Sequence, residues 1–174
     1  MISVAYVRTM AHYNTWQNRN IYGAAAQLSD TQRKEDRGAF FGSIHATLNH
    51  LLWADQMWLM RFGAAPRPRA ETITEGLTQF QDWDTLAAER TRFDAHIQSW
   101  ADKLDPTALE GDLMWFSGSA GREMSTPKML AVTHLFNHQT HHRGQVHALL
   151  TGFGMRPGVT DLPFGPSIFV GDRA

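Results

Sequence analysis

Leu135-Phe136-Asn137-His138-Gln139-Thr140-His141-His142-Arg143-Gly144-Gln145 decides how this chain is read. Upstream, Ser125 or Thr126 serves as an N-cap with Pro127 at the first helical position, where its missing N–H is no loss. Downstream, the pattern continues to about Thr151, and Gly152 and Gly154 stop it. The run therefore lies inside one long helix. His138 and His142 stand four residues apart, so their imidazoles lie one above the other on one face and can meet a single cation.

Working outward, turn chemistry separates three further helical stretches. The first runs from Ser3, an N-cap, to about Leu28, with Tyr6, Met10, Tyr13, Ile21 and Leu28 at a three-to-four spacing, and Ser29-Asp30 opens the connection. The second spans about Ala39 to Phe62, with Phe40, Phe41, Ile44, Leu48, Leu51, Leu52, Trp58, Leu59 and Phe62 as its apolar positions, and Gly63 stops it. Ala64 to about Glu75 is proline-rich and reads as a surface crossover. The third helix begins between Thr78 and Asp84 and ends near Leu104, ahead of Pro106. Leu113–Phe116 and Arg122–Met124, joined by Ser117-Gly118-Ser119-Ala120-Gly121, read as a small hairpin. From Met155 the chain reads as an irregular C-terminal tail. Four long helices give an all-α fold, an antiparallel four-helix bundle with long crossovers, in one domain over residues 1–174.

A chain of 174 residues buries a core without disulfides. It contains no cysteine, which excludes a thiolate-zinc site and a protein thiol nucleophile. The net charge is −1, with Lys and Arg scattered rather than clustered, so nothing suggests a phosphate-tracking surface and no nucleic-acid partner is expected. No apolar run approaches the roughly 20 residues that span a bilayer, and no secretory signal opens the chain. A soluble cytoplasmic protein with no membrane partner is the expectation.

At about 100° per residue, Leu130, Leu135, Val146, Leu149 and Leu150 mark an inward arc on the fourth helix. His138 and His142 fall inside that arc, His134 and His141 at its edge. Arg143 lies well away and is expected in solvent or at a subunit contact. Inward imidazoles are costly unless their nitrogens are satisfied, and a metal ion satisfies one nitrogen of each. The competing reading is a hydrogen-bonded polar network that specifies helix register. The second helix offers His45, His50 and Asp55 as a third ligand. Periodicity centres its stripe near Asp55, leaves His50 beyond one edge and does not select among the three. Asp55 reads first as a structural hydrogen-bonding group, and Tyr13-Asn14-Thr15-Trp16-Gln17-Asn18 as packing and helix–helix hydrogen bonds.

Three stretches together resemble the DinB (DNA-damage-inducible, YfiT-like) family of small metalloproteins. They are Tyr13–Asn18, then Leu48-Asn49-His50-Leu51-Leu52-Trp53-Ala54-Asp55, then Asn137–Gln145; Asp161-Leu162-Pro163 in the tail is similar to the family too. The resemblance implies a four-helix bundle, frequently dimeric, so a homodimer is expected. It also implies a metal triad of one histidine from the second helix and a His-x3-His pair from the fourth. Carried over by position, these are His50, His138 and His142, and it is the resemblance that favours His50 over His45 and Asp55. The implied cofactor is a divalent transition metal such as zinc, nickel or iron, since imidazole serves all of them.

Three neutral imidazoles leave a coordination position open, the arrangement of catalytic rather than closed structural sites. A metal-dependent enzyme acting on a small-molecule substrate is the expected function. It would activate water for hydrolysis or a low-molecular-weight thiol for S-transfer, as relatives in the wider superfamily do with mycothiol or bacillithiol. With no cysteine in the chain, that sulfur must come from the cosubstrate. The alternative is a non-catalytic metal-binding stress-response module.

Overall fold

The structure is a computed structural model that describes residues 2–118 and 120–166. Six α-helices and one strand pair occupy those residues: α1 (Val4–Ala25), α2 (Asp30–Lys34), α3 (Ile44–Arg61), α4 (Ile73–Gly76), α5 (Trp83–Asp102), β1 (Asp112–Ser117), β2 (Arg122–Pro127) and α6 (Lys128–Gly152). The chain is mostly helical, and the antiparallel pair β1–β2 corrects the expectation of a purely all-α fold. The hairpin read from the sequence is that pair, with Met114 opposite Ser125 and Trp115 opposite Met124. The part of the expected tail from Ser167 onward lies outside the described residues.

The long helices pack α1 on α5, α3 on α6, α1 on α6 and α3 on α5. Their shared core includes Val7, Leu48, Leu52, Leu59, Leu86, Ile97, Leu135, Phe136, Val146 and Leu150. Each start has a local cause. Ser3 accepts from the Tyr6 N–H at the head of α1, and Asp82 accepts from the Thr85 N–H at the head of α5. Ser29, read as opening a connection, instead caps α2 in a reciprocal capping box with Gln32.

Two helix starts differ from the expectation. The second helix was expected from Ala39, but α3 begins at Ile44 behind the Ser43 cap. Gly42, at a φ of 77°, takes the left-handed conformation that closes a turn and cannot sit inside a helix. Phe40 and Phe41 therefore lie in that turn, outside any helical stripe. The last helix was expected to use Ser125 or Thr126 as cap, but both are committed to the β2 ladder, and Pro127 precedes α6 with no side-chain cap. The Lys128 N–H finds the Gly111 carbonyl at 3.0 Å instead.

The crossover after α3 is seated by one tryptophan. Trp53 donates its indole N–H to the Ala70 carbonyl at 2.9 Å. Its ring lies against the backbone of Gly76 in α4, where a Cβ would come within 2.7 Å of the ring carbons. A residue larger than glycine there would collide with a rigid aromatic body, so Gly76 is what lets α4 close over Trp53.

The inward face of α6 is rotated from the expected arc. Val132, Phe136, Gln139, Arg143, Val146 and Leu150, at alternating four- and three-residue steps, are its buried line. Leu130, expected inward, is 58 % exposed, because the first turn of α6 turns Ala131 and Val132 to the core instead. Arg143, expected in solvent, is 5 % exposed. It donates to Asn14 Oδ1 of α1 and, at 3.1 Å, to Gln139 Oε1.

A second arginine completes a polar layer across the long helices. Arg90 of α5 contacts Asp55 of α3 at 2.7 Å and Asp94 of its own helix at 2.8 Å. Asn18 of α1 donates to Asp94 at 2.9 Å. Burial pulls Arg90 towards losing its proton, but Asp94 and Asp55 outweigh it and hold the guanidinium charged. Asp55 is thus a structural partner, as its first reading held.

Candidate metal centre

α3 and α6 lie side by side, and that contact brings His50 to His138 and His142. Their Nε2 atoms place His50 and His138 3.1 Å apart, and ring centroids stand 4.9 Å between His50 and His142 and 4.4 Å between His138 and His142. Each imidazole offers one nitrogen such that all three lie within 4.8 Å of one another. His45 is not in the group: its Nε2 meets the Phe80 carbonyl at 2.9 Å on the α5 side of α3. Asp55 is engaged by Arg90. His134 stands one turn away, its ring 5.7 Å from His138 and 5.0 Å from Trp58.

The donor set fits a transition metal. Two nitrogens held about 2.1 Å from one zinc ion at the tetrahedral angle stand about 3.4 Å apart, so His50 and His138 already have nearly the separation of two ligands on one ion. Neutral imidazole is the ligating form. Burial pushes His50 down to about 4, helped by repulsion from His142. Burial also pushes His138 down to about 3, with His142, His50, His134 and His141 adding to it. His142 is lowered by burial against the opposing pull of its bond to Gln145. All three therefore present lone pairs rather than N–H⁺ at neutral pH. A self-contained hydrogen-bond network fits less well, because Nδ1 of His50 and of His138 are buried without a partner among the described residues.

Two residues shape this site that the sequence reading did not assign to it. Phe41, freed from α3 by Gly42, lays its ring 4.1 Å from His50 and 5.2 Å from His142 and covers one side of the triad. Gln145, three residues after His142, takes the His142 Nδ1 at 2.7 Å on its amide oxygen. An amide oxygen only accepts, so Nδ1 carries the hydrogen and Nε2 keeps its lone pair for a ligand. The amide nitrogen of Gln145 points to Nε2 of the exposed His141 at 3.4 Å, consistent with that orientation. The i, i+3 spacing was the available signal. Gln145→Leu is expected to weaken metal affinity about 10- to 100-fold, measured by chelator competition, while Gln145→Glu restores it. Wild-type affinity in the leucine variant would show that His142 needs no such partner.

The chain is 22% identical over 149 residues to "Protein DinB" of Bacillus subtilis (strain 168), a match spanning 86% of this chain and 87% of that protein. Its fold is similar to the crystal structure of a DinB-like protein from Bacillus cereus ATCC 10987, with a TM-score of 0.62 at 20% identity over 83% of this chain and 91% of the other. At that identity the likeness is one of fold. The sequence profile of the DinB family matches residues 1–168, nearly the whole length, and the chain belongs to the DinB family.

Proposed function

We propose that this chain is a metal-dependent enzyme in which His50, His138 and His142 hold one divalent transition metal ion, zinc, nickel or iron. The observation that carries the reading is the convergence of three imidazoles from two helices, with no fourth protein donor in the group among the described residues. A bound ion of that kind supplies Lewis acidity at an open position, where it lowers the pKa of a thiol or of water. The chain's own residues do the rest. Gln145 fixes the tautomer of His142, and Phe41 and Trp53 flank His50 with apolar surface that limits water.

Transfer of a low-molecular-weight thiol to an electrophile is favoured over hydrolysis because relatives in the wider superfamily include thiol S-transferases; with no cysteine in the chain, the sulfur would come from the cosubstrate. Metal analysis of protein purified without a polyhistidine tag, followed by a screen of thiols against electrophilic acceptors, tests this. Metal near one equivalent with thiol-dependent turnover is the expected outcome. Bound metal with no turnover across several thiols, but with ester or amide cleavage, would select the hydrolase instead.

A second reading is a non-catalytic metal-binding module. It is favoured by Asp55, the buried carboxylate of α3, being tied to Arg90 rather than standing beside the triad as a base. A cytoplasmic homodimer, with its four long helices forming an antiparallel four-helix bundle, completes the proposal. Among the described residues no helix is long and apolar enough to cross a membrane.

A further inference from the structure

We infer that the cleft between α3, α5 and the 66–69 crossover is a second ligand site, built for a small aromatic anion and separate from the histidine triad. The cleft has a volume of about 390 Å³, within the range of small-molecule pockets. It shares no residue with the triad, which lies where α3 meets α6.

The sequence Pro66-Arg67-Pro68-Arg69 makes its rim. Proline fixes its own φ and holds the residue before it extended, so Arg67 is locked in extended backbone. Pro68 is buried and seats the strip, while Arg67 and Arg69 are exposed, and all three line the cleft. Trp53 holds the end of this strip through the Ala70 carbonyl, so the two guanidinium groups stand on anchored backbone.

Neither Arg67 nor Arg69 has a hydrogen-bond or ion-pair partner among the described residues. The one carboxylate in the cleft, Glu89, is neutralised by Arg92, which it meets at 2.7 and 3.0 Å. The lining therefore carries two unspent positive charges on a chain whose net charge is −1. A guanidinium fork matches a carboxylate or a phosphate in a two-point contact. Phe80, Phe93 and Pro66 supply apolar walls beneath that rim, and Gln56 and Gln79, 3.4 Å apart, add amide groups. Two guanidinium forks above an aromatic floor select a ligand with an anionic head and a flat apolar body.

The full chain, with its metal content measured, is titrated with phenyl phosphate, benzoate and inorganic phosphate by calorimetry and amide NMR. At least one phenyl-bearing anion is expected to bind saturably, shifting the amides of Gln56, Gln79 and Phe80, and to bind at least tenfold tighter than inorganic phosphate. Phenyl phosphate against benzoate tells which head group the rim prefers. The exposed double variant Arg67→Gln/Arg69→Gln should weaken that binding at least tenfold with unchanged metal content and melting temperature. Undiminished binding in the double variant would place the anion elsewhere, the metal centre included, and overturn the inference. So would the absence of saturable binding by both aromatic anions, or binding of inorganic phosphate as tight as theirs.

Discussion

His138→Ala is expected to reduce bound metal from near one equivalent to near none, with affinity falling at least about a hundredfold, beyond the loss typical of an outer partner of a ligand. His138 stands 3.1 Å from His50 between Nε2 atoms and 4.4 Å from His142 between ring centroids. Removing it leaves two donors on different helices with no third among the described residues. His134→Ala and His141→Ala are the controls, since their rings flank the group without belonging to it, and each should keep its metal. Melting temperature read together with metal content separates the roles. A ligand present at about 100 times its Kd stabilises the native state by roughly 2.7 kcal/mol, so added metal should raise the wild-type midpoint and leave the variant unmoved. If the metal-free proteins melt alike, the site is open and functional; if the variant fails to fold, the ion is structural. Retention of wild-type metal content by His138→Ala would remove the basis of the proposed function.

The His138–His142 pair was legible because an i, i+4 spacing inside a long helix fixes two side chains on one face whatever surrounds them. His50 was not legible from periodicity, and the structure shows why. α3 is buried on nearly every side, from Ile44 through Asp55, since α2, α4, α5 and α6 all pack on it. A helix with no solvent face has no stripe to centre on, and only the family resemblance favoured His50 over its neighbours. The element starts that differed, at Ala39 and at Ser125, turned on Gly42 and on strand pairing, neither of which a helical periodicity reports.

Arg143 failed for a related reason. The expected inward arc runs through leucines and Val146 alone, whereas the buried line of α6 includes Gln139 and Arg143 at core positions. A polar residue at such a position looks like a gap in the stripe until its partner is known, and that partner, Asn14, lies 129 residues away in sequence. Asn14 and Asn18 are the helix–helix hydrogen-bonding groups their sequence context suggests, but only the fold tells which helices they join. Burial brings Arg143 down to about 10, still charged at neutral pH, so the layer must satisfy a full guanidinium.

Arg90→Met should destabilise the protein by about 3–5 kcal/mol, the range for breaking a buried ion pair, which in a chain of this size lowers the melting temperature by roughly 6–20 °C. Arg90 and Asp55 are 2 % and 0 % exposed, so no water replaces the lost guanidinium. Asp55 and Asp94 would then share the core with Arg143 as the remaining cation of the layer, two carboxylates against one guanidinium. Methionine fills similar volume, which keeps the expected loss electrostatic rather than a cavity effect. Calorimetric melting of Arg90→Met beside the double variant Asp55→Leu/Arg90→Met resolves the origin. The double variant keeps one carboxylate, Asp94, for the remaining buried cation of the layer, Arg143, and Asn18 still donates to it. Recovery of at least half the lost stability in the double variant is the expected result, since a buried pair contributes little net stability over a well-packed apolar substitute. A loss below about 1 kcal/mol in the single variant would mean that solvent reaches this layer. Bound metal should remain near one equivalent in both variants, because the triad and the Arg90 layer meet different faces of α3: unlike His138→Ala, this substitution weakens the fold and spares the site.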